Sequence, residues 1–167
     1  EAARINVSGK DMLRSLQRIL DRHHRSLVVH GYKEQSHLLG SVGVEFPEPL
    51  FDTKLAGYLV HPDFHADTLE QAAAHFLDLH VEAQDESATQ GTLDFDEPEG
   101  SDSEDDEKLA AHVAIVGLLA DYLSGILDER KQFGLLESIE IPVSHVLHGM
   151  EQAGAQVDMA RLEQMRE

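Results

Sequence analysis

The sequence predicts an α/β domain, on three observations. Short apolar runs, Leu27-Val28-Val29-His30 and Leu50-Phe51, alternate with amphipathic helical patterns, which argues against a helical bundle. Apolar residues make up 41% of the 167 positions, enough for a packed core in one ordinary domain with a piece of a second. Gly and Pro punctuate the patterns at element ends, and no internal repeat is visible.

Taken in order, Arg4 to Val7 alternate weakly and predict a strand. Ser8 caps the next helix, with Asp11 three residues on in capping-box-like spacing, and Met12, Leu13, Leu16, Ile19 and Leu20 form its buried face. Leu27 to His30 reads as a buried strand. Gly31 turns into a helix carrying Leu38 and Leu39, with Gly40 and Gly43 as stops. Val44 to Phe46 lead to the Pro47-Glu48-Pro49 turn, and Leu50-Phe51 is a very short strand. Asp52 caps a helix holding Leu55, Tyr58 and Leu59, which ends at His61-Pro62 because the residue before Pro avoids helical geometry. Asp67 and Thr68 start another, with Leu69, Ala72, Ala73, Phe76 and Leu77 on one face.

Periodicity stops between Glu82 and Glu107. That stretch holds 12 acidic residues and no basic ones, so it supplies −12 of the formal net charge of −19. Such a segment buries too little apolar surface to offset its ordering entropy, which predicts a mobile acidic insert over 82–107. Leu109 to Phe133 is then the longest helical pattern, with a stripe of Leu109, Val113, Val116, Ala120, Leu123 and Leu127 and a stop at Gly134. Pro142 suits a first helical turn, and Val143, Val146, Leu147 and Met150 form the apolar face of that helix. Gly154 ends it, and Asp158 caps the last one.

Composition excludes several classes. With no Cys, disulfides and thiolate metal sites are absent. No apolar run reads as a membrane span, and the N-terminus lacks a signal-peptide layout. Outside the acidic stretch the charge is still −7, so the basic surplus needed to neutralise phosphates is missing and tight DNA binding by this chain alone is not expected. The chain opens on Glu1 and stops at Arg166-Glu167 inside a helical pattern, which reads as a chain cut at both ends.

Eleven histidines invite a metal hypothesis. His61 and His65 straddle Pro62, His75 and His80 straddle a helix end, and His145 and His148 share a helical face, but none has a third ligand at motif spacing. The Arg22-His23-His24-Arg25 cluster complements a helix C-terminus. No Gly-rich phosphate loop or nucleophile–His–acid pattern stands out.

Two segments carry a resemblance. Phe51-Asp52-Thr53-Lys54-Leu55-Ala56-Gly57-Tyr58-Leu59-Val60 and, later, Ile139 to Asp158 resemble, in this order, the junction between the 3′–5′ exonuclease and polymerase domains of family A DNA polymerases. The resemblance implies an RNase-H-like exonuclease-type domain over 1–134, with the acidic insert inside it, and the start of a polymerase domain over 135–167. Exonucleases of this family hold two metal ions with carboxylates, as a two-metal displacement requires. The family's first motif would precede residue 1. Its second, Asn-Leu-Lys-aromatic-Asp, stands here as Gly31-Tyr32-Lys33-Glu34-Gln35, so Gln35 replaces the metal-binding Asp. Its third, Tyr-x-x-x-Asp, stands as Leu109-Ala110-Ala111-His112-Val113, with Leu109 and Val113 at the two functional positions. Glu34 is a poor substitute, since neighbouring helical residues point about 100° apart.

The expectation is therefore a catalytically inactive proofreading domain acting as a spacer, with no catalytic, cofactor or metal residues of its own. The resemblance implies a longer DNA-directed DNA polymerase in replication and repair, using Mg²⁺ and reaching DNA elsewhere in the protein. It also implies a cytoplasmic, nucleoid-associated setting and no membrane partner. Two rivals stand beside it: an acidic interaction module, and a live exonuclease with displaced ligands. For the first, Gln90-Gly91-Thr92-Leu93-Asp94-Phe95 resembles the Gln-x-x-Leu-x-Phe peptide that docks on bacterial sliding clamps, with Gln90, Leu93 and Phe95 as the contact residues.

Overall fold

Two short parallel strands lie at the centre of a mostly helical chain, in a computed structural model that describes residues 9–80, 101–156 and 159–166. β1 (Val28–Val29) pairs with β2 (Phe51–Asp52), Val28 opposite Phe51 and Val29 opposite Asp52. A parallel pair needs a crossover, and α2 (Tyr32–Ser41) supplies it. A mostly helical architecture with a small parallel sheet is compatible with the α/β class.

α1 (Lys10–His23) runs into a 3₁₀ turn at His24–Ser26, with Arg22 and His23 in its last turn. Gly9 holds its N-cap position and supplies no side-chain bond; Ser8, expected as the cap, lies outside the described residues, as does the strand expected over Arg4 to Val7. Leu13, Leu16 and Leu20 face inward; Met12 and Ile19, expected beside them, are 42% and 45% exposed, because the contact stripe is narrower than the apolar set. Leu20, Val29, Tyr32, Val44 and Phe46 form a small core around β1 and α2. Gly40 lies within α2 rather than stopping it. The stop is Gly43, at φ +80°, where the Val44 and Gly43 N–H groups close back on the Leu39 and Gly40 carbonyls.

The larger core joins α3 (Thr53–Val60), α4 (Leu69–Leu77) and α5 (Ser101–Glu129). Asp52 caps α3, and Thr68 caps α4 through the N–H of Gln71. Ala56, Leu59, Ala72 and Ala73 meet Ile115, Leu119, Leu123 and Leu127 of α5. Small residues let these helices approach closely: a Cβ on Gly57 would stand 3.1 Å from the Phe76 ring.

α5 corrects two expectations. Residues 101–107, placed in the acidic insert by the sequence, are its first turns; the rest of that insert lies outside the described residues. Its buried stripe recurs every four residues from Ile115 to Leu127, so Leu109 and Val113 are left 43% and 56% exposed. By length and composition Asp106–Glu129 is apolar enough to cross a bilayer, contrary to the sequence reading, but its buried stripe is the middle of the main core.

Lys131, not Gly134, ends α5. At φ +58° it lets the Gln132 N–H reach the Leu127 carbonyl and its own N–H reach that of Asp128. Gly134 sits within α6 (Phe133–Leu135), which passes through a π-helical turn at Leu136–Glu140 into α7 (Ile141–Ala153). The Ser138 hydroxyl donates to the Gly134 carbonyl along this stretch. Pro142 lies in the first turn of α7 and Gly154 closes it. Val143, Val146, Leu147 and Met150, expected as the helix's apolar face, are exposed among the described residues, and Ile141 and Ser144 point inward. α8 (Met159–Arg166) completes the order, with Asp158 outside the described residues.

Candidate functional site

The residues that resemble the second exonuclease motif, Gly31 to Gln35, lie where β1 ends and α2 begins, whereas Leu109 and Val113 of the third lie apart on α5. Gly31 is left-handed, at φ +76°, which turns the chain out of the strand and into the helix. Asp52 is almost fully buried behind this turn and accepts four backbone N–H groups. Gly31 (3.1 Å) and Tyr32 (2.7 Å) come from the start of α2, Lys54 (2.8 Å) and Leu55 (3.4 Å) from the start of α3. One carboxylate thus caps two helices and complements both dipoles. All four of these bonds hold backbone in place.

Gln35 is half-buried, and its side-chain amide donates to the His30 carbonyl at 2.8 Å. The Asp of the motif could not do this, because an ionised carboxylate has no proton to offer. Glu34 is also engaged: Lys54 Nζ bonds its carboxylate at 2.7 Å. Burial works to raise the Glu34 carboxyl, but the bond from Lys54, a backbone N–H bond and the charges of Lys54 and Lys33 together hold it below the usual range. Leu109 and Val113 are exposed on the early turns of α5, and neither offers a donor atom for a cation. The neighbouring His112 contacts Glu70 of α4 at 3.1 Å.

His30 lies deeper. Its Nδ1 stands 2.9 Å from the Thr53 hydroxyl, which donates onward to the Val29 carbonyl at 3.1 Å. The hydroxyl proton is therefore committed, and His30 Nδ1–H must donate to Thr53. Nε2 is left as a buried acceptor without a partner. Burial holds this imidazole below its ordinary value, against the attraction of Asp52.

In front of these groups lies a cavity of about 330 Å³, with His30, Lys54, Tyr58, Phe64 and Leu147 in its wall. Its lining is mixed aromatic, aliphatic and charged, and the Lys54–Glu34 pair is closed on itself. Among the described residues no group of three or more His, Asp or Glu side chains could hold a metal ion. The histidine pairs named from the sequence do not share a ligand site, and their members take different partners. His61 bonds His75 at 2.9 Å, His65 stacks on Tyr58, His145 meets the Tyr32 hydroxyl and His148 packs against His37. His80 closes the described stretch exposed to solvent. Gln90, Leu93 and Phe95 lie outside the described residues.

Sequence reasoning missed the contacts between α2 and α7. Lys33 and His37 both reach Glu151 at 2.7 Å, and Tyr32 reaches His145 at 2.8 Å. These partners are more than a hundred positions apart, and no local periodicity announces them.

No family model matches the chain. It is, however, 32% identical over 127 residues to the DNA polymerase I of Bacillus subtilis, a match covering 75% of this chain and 14% of that protein. The DNA polymerase I of Mycobacterium tuberculosis is 30% identical over 138 residues, 83% of this chain and 15% of its own length. That of Mycobacterium leprae is 28% identical over 144 residues, 86% and 15% respectively. The chain thus spans 14–15% of the length of these curated relatives. With similarity carried across 75–86% of its residues, the chain belongs to the family A DNA polymerases.

Proposed function

We propose that residues 1–134 are an RNase-H-like 3′–5′ exonuclease-type domain that has lost metal-dependent hydrolysis, and that 135–167 lead into a polymerase domain. The segment acts as a rigid spacer in a longer DNA-directed DNA polymerase of replication and repair, which engages DNA and Mg²⁺ through other parts of its chain. The observation that carries this reading is Gln35. Its amide holds the His30 carbonyl, so the side chain at the second motif is a backbone clamp rather than a cation ligand. Two divalent ions a few ångströms apart need several carboxylates around one point. Gln35 brings no charge, Val113 no oxygen, and Glu34 is neutralised by Lys54. These residues do not fit a two-metal site, and no hydrolytic step is derived through one.

The test is a polymerase carrying this segment, incubated with a 3′-mismatched primer–template, Mg²⁺ or Mn²⁺ and no nucleotides. The primer keeps its length. Metal-dependent shortening from the 3′ end that Glu34→Ala abolishes would establish the displaced-ligand exonuclease instead.

A further inference from the structure

Helix α7 is attached to the rest of the domain mostly by polar groups. Of its 13 residues only Ile141 and Ser144 are buried, both in its first turns. Its later turns rest on α2 through three successive contacts. The His145 ring meets the Tyr32 hydroxyl at 2.8 Å. One turn on, His148 packs edge-on against His37, ring centroids 4.3 Å apart, with its Nδ1 buried and unbonded. At the end Glu151 takes Lys33 and His37 on its two carboxylate oxygens.

The groups facing His148 are mostly cationic or become so in acid. Lys33 and His37 come from α2, and His145 and Glu151 from α7 itself. Glu45, from the loop between Gly43 and Pro47, lines the same cavity of about 400 Å³. We propose that the α2–α7 contact is an acid-released latch, closed while at least one of His37 and His148 is neutral and open once both are imidazolium ions side by side next to Lys33. Glu151 tolerates one such charge, since it already bonds His37, but it cannot neutralise Lys33 and two imidazoliums together.

Protonation has a definite sign here. Burial first, then the charges of His37 and His145, hold His148 below its ordinary value of 6.5. The released helix therefore binds a proton more readily than the docked one. The docking stability linked to His148 is fully present above the ordinary value and is lost as pH falls through the lower, docked one. The inference rests on this contact alone and holds whether or not the segment cleaves DNA.

Hydrogen exchange of the 167-residue chain, read by mass spectrometry from about pH 7.5 to about pH 5.5 and corrected for intrinsic rates, tests it. Peptides from the later turns of α7 lose protection, by up to about tenfold per pH unit for one linked proton, while α3 and α5 keep theirs. His148→Gln flattens that dependence, and His37→Gln, the second variant should the first misfold, does the same. Protection of α7 that is constant with pH, or that falls only together with α5, overturns the latch. So does an unchanged pH dependence in a folded variant.

Discussion

The Asp52 carboxylate lies 2.7 Å from the backbone N–H of Tyr32, 20 residues earlier in the chain. That bond ties the crossover helix to the sheet, because the same carboxylate caps α3 and its own residue is paired in β2 with Val29. The register of two short strands and the starting points of two helices thus depend on one buried acid.

Asp52→Asn is expected to destabilise the domain by about 1–3 kcal/mol, since an amide oxygen can still accept at the start of α3 but the amide nitrogen faces the Tyr32 N–H with another donor. Urea unfolding followed by circular dichroism measures it. A loss below about 0.5 kcal/mol would mean that the start of α2 does not depend on this acceptor.

Gln35→Asp, which restores the acid of the exonuclease motif, is expected to cost stability and to gain no nuclease activity. It removes the donor to the His30 carbonyl and places a negative charge near that oxygen, a loss of about 1–3 kcal/mol. The measurement pairs urea unfolding with primer shortening in Mg²⁺. Unchanged stability with new cleavage would show that Gln35 occupies a ligand position able to work.

The parts legible in the sequence are those whose signals are local. Asp52 as a cap, the β-branched pair Val28-Val29 and the Pro after His61 each act within a few residues and stand where expected, although Val28, read as part of a buried strand, is exposed. The phase of α5 was harder, because Leu, Ala and Val appear on every side of it. Leu123 and Leu127 were placed correctly, but Leu109 and Val113 were assigned to a face that α3 and α4 do not cover. The end of the same helix was misread because a lysine takes the left-handed position usually filled by Gly. At the candidate site the substitution at Gln35 was visible, but its bond to His30 required coordinates.

Three glycines in two helices are expected to respond with opposite signs. Gly57→Ala should destabilise by about 1 kcal/mol, because overpacking outweighs the gain in helix propensity. Phe76 cannot yield easily: Phe64 and His75 meet its ring edge-to-face, with centroids at 5.9 and 4.7 Å. Gly117→Ala and Gly125→Ala meet nothing within 4 Å and should each stabilise by about 0.5–1 kcal/mol. Thermal unfolding of the three variants checks the pattern, and a stabilised Gly57→Ala would refute the close α3–α4 approach.

Lys131→Gly should raise stability by about 0.5 kcal/mol. Relief of the left-handed strain at φ +58° exceeds the extra chain entropy that Gly adds to the unfolded state. Lys131 is exposed, so little packing is lost. A destabilised variant, measured by urea unfolding, would mean that the lysine side chain holds the end of α5.

The last prediction concerns His30. Its Nδ1–H is fixed on Thr53, whose proton goes to the Val29 carbonyl, so only Nε2 is free to take a proton. That atom is buried without a partner, and protonation would place both a charge and an unpaired N–H there. Burial therefore holds the folded value below 6.5. Because the unfolded chain binds this proton more readily, the stability linked to His30 is complete above the ordinary value and is lost as pH falls through the folded one. Titrating the imidazole Cε1–H resonance by NMR should place the His30 midpoint below the ordinary imidazole value. His30→Asn, whose amide can still donate to Thr53, should lose less stability in mild acid than the unsubstituted chain. A His30 midpoint at or above the ordinary value would show that Nε2 reaches water, and the closed hydrogen-bond chain from His30 through Thr53 to Val29 would then not set its charge.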